Sequence, residues 1–216
     1  MQITIIGAGN MARGIATRAL AGGHTVTLTA KDPAKAARLA EELSAQAAGD
    51  AAVRTDDDSA VDTAELVVLA VPFAAAKELT TSLGGRLSGK VLVDISNPVG
   101  TSLDALVVAP GTSAAEEIAA VAAPGTKVVK AFNTTFATTL VAGQVGGTPL
   151  DVFIAGDDEA AREQVAELVT SGGLHAVDVG SLKHARELEG FQLLHMALQI
   201  GEGGYGWAST IKLVAP

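Results

Sequence analysis

A chain of 216 residues has room for one α/β domain of ordinary size and a small addition, but not for two full domains. A net charge of −9 argues against nucleic acid and anionic membrane surfaces as partners, and the lack of cysteine removes disulfides, thiol chemistry and thiolate metal sites. The longest apolar run, residues 66–76, is too short for a bilayer and contains Pro72. With the first strand starting at residue 2, no room is left for a signal peptide, so a cytoplasmic protein with no membrane contact is expected.

The first strand, residues 2–6, runs into Gly7-x-Gly9-x-x-Ala12 and then into a helix from about Met11 to Ala21. Each small residue has its own task in a dinucleotide-binding turn. Gly7 turns the chain sharply, Gly9 lets backbone approach a pyrophosphate, and Ala12 lets the helix pack close to the strand. The helix N-terminus, with Asn10 and Met11 in its first turn, then faces the phosphates with free N–H groups and a positive dipole end.

Gly22-Gly23 stops that helix, and the β-branched alternation of residues 24–29 predicts the second strand, with His24 on the surface. An NAD enzyme usually ends this strand in Asp or Glu for the ribose 2′-hydroxyl. Here the chain reads Thr29-Ala30-Lys31, with Lys35 one turn into the next helix, which suits a 2′-phosphate and favours NADP. Asp32 before Pro33 is expected to cap that helix, residues 34–47.

Residues 51–54 give a weak third strand and 64–71 a continuous apolar run, the mark of a central parallel strand buried on both faces. It ends in Pro72-Phe73, and a helix follows to about Leu83. Residues 90–95 form the next strand, ending in Ser96-Asn97-Pro98. A helix over 116–121 leads to a strand over 127–132, ending in Asn133-Thr134. A strand–helix–strand unit over 151–155, 157–171 and 175–179 follows, then a last helix over 183–200 and a glycine-rich stretch, 201–206. The alternation predicts a doubly wound parallel sheet of Rossmann type with a small C-terminal α/β extension. Residues 1–148 make the NADP-binding domain; residues 149–216 complete the substrate cleft and supply a homodimer contact.

Ligands of such sheets bind beyond the carboxyl ends of the strands, near the switch in strand order. There Pro72 steers the chain over the cofactor, Phe73 lines it, and Asn97 and Asn133 offer amide hydrogen bonds. Tyr205 and Trp207 in the glycine-rich stretch either cover a ring by stacking or pack a dimer contact.

The chain resembles the F420-dependent NADP oxidoreductase family and its uncharacterised bacterial dinucleotide-binding relatives. The resemblance rests on Gly7-Ala8-Gly9-Asn10-Met11-Ala12, Leu69-Ala70-Val71-Pro72-Phe73, Val93-Asp94-Ile95-Ser96-Asn97-Pro98, Val129-Lys130-Ala131-Phe132-Asn133-Thr134 and Ala155-Gly156-Asp157-Asp158. It implies hydride transfer between NADPH and a flavin or deazaflavin whose ring stacks on the nicotinamide. It also implies cofactor contacts at Gly7, Gly9, Asn10, Met11, Thr29, Lys31 and Lys35, with Val71, Pro72, Asn97 and Pro98 near the nicotinamide. The chain departs from the family at Ala30-Lys31, where members that bind the 2′-phosphate often carry Ser-Arg, and in its Gly201–Ser209 ending. Substrate contacts are expected from Asn133, Thr134 and Trp207.

Transfer between two flat rings needs proximity and alignment more than a protein acid, and no residue is assigned a catalytic proton transfer. The only tyrosine, Tyr205, has Ser209 four residues on, so the Tyr-x-x-x-Lys pair of carbonyl reductases is absent. His184 and His195 are read as core or surface residues of the last helix. Two alternatives stand: an imine or small-carbonyl reductase of the pyrroline-5-carboxylate reductase type, and a non-catalytic NADP sensor.

Overall fold

The computed structural model describes residues 1–47 and 49–214. Strand β1 (Gln2–Ile6) passes through the glycine turn into α1 (Asn10–Ala21), then β2 (Thr25–Thr29), α2 (Pro33–Ser44) and β3 (Ala52–Thr55). Asp32 caps α2 as its sequence predicts: its carboxylate accepts from the Ala34 N–H at 3.1 Å, with Pro33 in the first turn. The chain continues through α3 (Ala60–Thr63), β4 (Leu66–Leu69), α4 (Phe73–Leu83), β5 (Val91–Asp94), α5 (Ala114–Val121) and β6 (Lys127–Lys130). It closes with α6 (Ala137–Ala142), β7 (Gln144–Val145), β8 (Thr148–Pro149), β9 (Asp151–Gly156), α7 (Glu159–Ser171), β10 (His175–Gly180) and α8 (Ala185–Ala197).

Among the described residues one eight-stranded sheet runs in the order β10-β9-β6-β5-β4-β1-β2-β3. Strand order reverses between β1 and β4, which pair in parallel from Ile3–Leu66 to Ile6–Leu69. That reversal places the crevice of a doubly wound sheet beyond Ile6 and Leu69. Along β4 the side chains alternate between two cores. Leu66 and Val68 join α1, α2 and α7, whereas Val67 and Leu69 join α3, α4 and α5. Both faces are covered, hence the unbroken apolar run.

The sheet departs from a fully parallel one at a single junction. β9 pairs antiparallel with β6 through Val129–Gly156 and Lys130–Ala155, and β10 is then parallel to β9. A parallel partner for β6 needs a crossover packed on the sheet. Here α6 packs on α1 instead, which the sequence pattern did not disclose. The close approach depends on Gly14, where a Cβ would sit 2.7 Å from the Leu140 Cβ. His24, expected on the surface, is only 5% exposed. Its Nε2 lies 2.8 Å from Ser171 Oγ and its Nδ1 3.2 Å from the Met1 amino group, because α7 closes over the start of β2.

Candidate active site

The glycine turn is dictated by space as well as by dihedral angle. Gly7 has φ +129°, and a Cβ there would lie 2.3 Å from the Ala70 carbonyl oxygen. Its N–H donates to Thr29 O at 2.8 Å, tying the ends of β1, β2 and β4 together. Gly9 caps α1 without any side-chain hydrogen bond, and a Cβ on it would meet nothing within 4 Å. The first-turn N–H groups of α1 therefore open onto free space. Ala12 is fully buried where helix meets strand.

Three cavities follow the carboxyl edge of the sheet, and successive ones share lining residues. The first, about 1160 Å³, is lined by Gly7, Thr29, Ala30 and Lys31. Lys35 is exposed on α2 and does not line it. The same cavity is lined by Asp56, Asp57, Asp58 and Arg86, which the sequence reading missed. Asp58 Oδ1 lies 3.4 Å from the Thr29 hydroxyl. Hydrogen bonding from Ser59, by its hydroxyl and then its amide, holds the Asp57 carboxyl below the usual range. Arg86 pairs with Asp62 at 2.7 Å, which raises its already high pKa.

The second cavity, about 590 Å³, brings together Gly9, Asn10, Met11, Val71, Pro72 and Phe73 with Asn97 and Pro98. Val71 also borders the first cavity, and Asn10, Met11 and Asn97 also border the third. That third cavity, about 490 Å³, is lined by Asn133 and Trp207 and, among residues not foreseen, by Thr135, Phe136, Gln192 and Met196. They come from the segment around α6 and from the far end of α8, where the sequence offered no motif.

The Asn97 and Asn133 side chains hold each other. Asn97 Nδ2 donates to the Asn133 carbonyl at 2.9 Å, and Asn133 Nδ2 donates to Asn97 Oδ1 at 3.0 Å. Asn133 follows Phe132, a buried residue in the left-handed region at φ +60°, whose carbonyl accepts from both the N–H (3.1 Å) and the hydroxyl (2.6 Å) of Thr135. This strained turn points Thr135 into the cavity. Thr134 is 1% exposed and lines none of the three cavities; its hydroxyl has no hydrogen-bond partner among the described residues.

Beneath this floor lies a buried cation with three acceptors. Lys130 Nζ donates to Asp94 Oδ2 (2.6 Å) and to Ser96 O (2.6 Å) and forms an ion pair with Glu189 Oε1 at 2.7 Å. Glu189 also accepts from the Ala114 and Ala115 N–H groups at the start of α5. Burial pushes the Glu189 carboxyl above its ordinary range, against the pull of Lys130. Asp94 Oδ1 accepts from Ser96 N at 2.9 Å, so the network fixes the loop that carries Asn97. Among the described residues no group of three metal-ligating side chains is present.

The chain is similar to known proteins over most of its length. Residues 2–98 match the sequence profile of the family described as coenzyme F420-dependent NADP oxidoreductase. The F420-dependent NADP reductase of Methanothermobacter thermautotrophicus is 30% identical over 210 residues, covering 93% of this chain and 90% of that protein. A solved structure described as a candidate F420-dependent NADP reductase from Arthrobacter sp. FB24 superposes with a TM-score of 0.80 at 30% identity, over 96% of both chains. Metalloreductase STEAP3 of Rattus norvegicus is 35% identical over 192 residues, covering 89% of this chain, which spans 36% of that relative's length.

Proposed function

This chain belongs to the coenzyme F420-dependent NADP oxidoreductase family and is an NADP-dependent oxidoreductase, and we propose that its acceptor is a flavin-like ring, coenzyme F420 or a flavin, stacked on the nicotinamide. The observation that carries this reading is that Asn97 borders both the cavity beside Pro72 and the cavity walled by Phe136 and Trp207. A nicotinamide in one adjoins a ring in the other.

The residues present fit the cofactor. Gly9 leaves open the space a pyrophosphate needs, and the uncapped start of α1, with Asn10 and Met11, offers it N–H groups. Gly7 and Ala12 keep the turn and helix close to the sheet. Lys31, with Thr29 and Ala30 at the end of β2, meets the 2′-phosphate, and Lys35 adds charge from α2. Val71, Pro72, Phe73 and Pro98 frame the nicotinamide, and Asn97 presents its amide to it in an orientation set by Asn133. Asn133 and Trp207 meet the acceptor, with Thr134 buried behind them.

Bound NADPH supplies a hydride, which the acceptor ring takes up together with a proton from solvent, leaving NADP⁺ and the reduced ring. The protein's part is to align the two rings and to exclude water between them. No side chain is required as an acid, in keeping with an acceptor end lined by amides, hydroxyls and apolar groups. The homodimer of this proposal uses Phe191, Leu194, Leu198 and Ile200, apolar residues 46–57% exposed at the end of α8. We assign the protein to the cytoplasm; no described helix is long and apolar enough to cross a membrane.

The test is NADPH oxidation, followed by its absorbance, with F420, FMN, FAD and a ferric chelate each offered as acceptor. Turnover with a ring acceptor supports the proposal. Tight NADPH binding with no turnover on any of them would sink it, in favour of an imine-type substrate or a sensor.

A further inference from the structure

We propose that the nucleotide site takes NADH as well as NADPH, with Asp58 holding the ribose 2′-hydroxyl of NADH where NADPH carries its phosphate. This concerns the hydride donor; it rests on the placement of the cofactor's adenosine half in the first cavity and is independent of which acceptor follows.

Charge is unevenly set around that cavity. Among the described residues two cations line it, Lys31 and Arg86, against five carboxylates that include the Asp56–Asp58 run. Arg86 is already engaged: its guanidinium pairs with Asp62 at 2.7 Å and donates to the Asp58 carbonyl. That leaves Lys31, exposed and on a flexible stem, while Lys35 lies outside the cavity. A firm grip on a phosphate dianion draws on several Arg or Lys donors. One exposed lysine among carboxylates gives NADPH only a modest advantage.

NAD sites place a carboxylate at the end of β2, where it accepts from the ribose 2′-hydroxyl. This chain has Thr29 there, 3% exposed, and brings the carboxylate from the neighbouring strand. β3 runs parallel to β2 with Thr55 beside Leu28, and the Asp56 N–H donates to Leu28 O at 3.3 Å. The loop after β3 therefore starts level with the end of β2. Within it the Asp56 carboxylate accepts from the Asp57 N–H at 2.8 Å, and the Asp57 carboxylate from the Ser59 N–H at 2.7 Å. Of the three it is Asp58 whose carboxylate reaches β2, its Oδ1 accepting from the Thr29 hydroxyl at 3.4 Å. Arg86, bonded to the Asp58 carbonyl, pins the loop in this position. An exposed carboxylate at this point accepts a further hydrogen bond from a ribose hydroxyl and repels a 2′-phosphate. The reaction is otherwise unchanged: NADH gives up a hydride, the acceptor ring takes it with a proton from solvent, and NAD⁺ is left.

The full chain is titrated calorimetrically with NADH and with NADPH, and oxidation of each is followed with FMN and with F420. The two wild-type dissociation constants are expected to agree within about tenfold. Asp58→Ala is expected to weaken NADH about tenfold without weakening NADPH, so that NADPH binding checks the folding of the variant. A wild-type preference for NADPH of about a hundredfold or more would overturn the inference, as would equal weakening of both nucleotides in Asp58→Ala. Lys31→Glu separates this from the placement beneath it. NADPH binding unmoved by that change takes the adenosine half out of the cavity, and the inference with it. NADPH binding weakened by it keeps the placement, whatever NADH does.

Discussion

The Lys130 ammonium lies 2.7 Å from the Glu189 carboxylate, and both side chains are fully buried. Together with the Lys130–Asp94 pair, this pairing links β5, β6 and the start of α5 to α8, the helix that carries Gln192 and Met196 into the third cavity. Replacing one partner of such a set strands the others without compensation. Lys130→Met is expected to lower unfolding free energy by about 3–5 kcal/mol in a denaturant titration. Glu189→Gln keeps an acceptor for the Ala114 N–H and is expected to cost clearly less. Equal losses in the two variants would show that Asp94 alone does not compensate Lys130 once Glu189 is neutral.

Lys31 is the cation from β2's end in the first cavity, and Asp58 lines the same cavity with its Oδ1 3.4 Å from the Thr29 hydroxyl. Reversing the charge with Lys31→Glu is expected to raise the dissociation constant for NADPH about tenfold or more, with NADH little affected. Asp58→Asn is expected to shift it the other way. Calorimetric titration of both nucleotides against both variants checks this, and an unchanged NADPH constant in Lys31→Glu would remove Lys31 from the phosphate site.

Gly14 faces α6 so closely that any Cβ must push Leu140 away. Gly14→Ala is therefore expected to destabilise the fold by about 1–3 kcal/mol, although alanine is the better helix former. A rise in melting temperature would mean that α6 yields freely.

Asp151 anchors the C-terminal segment. Its carboxylate accepts from Leu213 N–H at 2.7 Å, lies 2.8 Å from His175 Nδ1, and pairs with Lys212. Burial pushes this carboxyl up, but the bonds from Lys212, Leu213 and His175 outweigh it and hold the group below the ordinary range. A depressed folded-state value means stability that is present above the unfolded pKa of about 3.9 and is lost as pH falls through the folded value. The melting-temperature gap between wild type and Asp151→Asn is expected to be full near neutrality and to shrink below about pH 4. A gap independent of pH would refute the assignment.

The sequence by itself determined the dinucleotide turn, the cap at Asp32 and the buried central strand, because each is a local requirement. A positive φ at Gly7, a side-chain acceptor before Pro33 and two covered faces of β4 leave their mark in consecutive residues. Of the strand ends it singled out, Val71, Pro72, Phe73, Asn97, Pro98 and Asn133 line cavities at the carboxyl edge of the sheet, whereas Phe132 and Thr134 are buried and line none. Only the tertiary structure decided which other groups join them. The Asp56–Asp58 run in the cavity of Lys31, the Lys130–Asp94–Glu189 set and the Phe136–Trp207 wall are assembled from segments 25 to 95 residues apart. The parallel β2–β3 and β5–β6 pairings bring Lys31 near the aspartates and Lys130 beside Asp94, and the fold-back of α6 and α8 adds Phe136 and Glu189, through-space events that leave no period or motif along the chain.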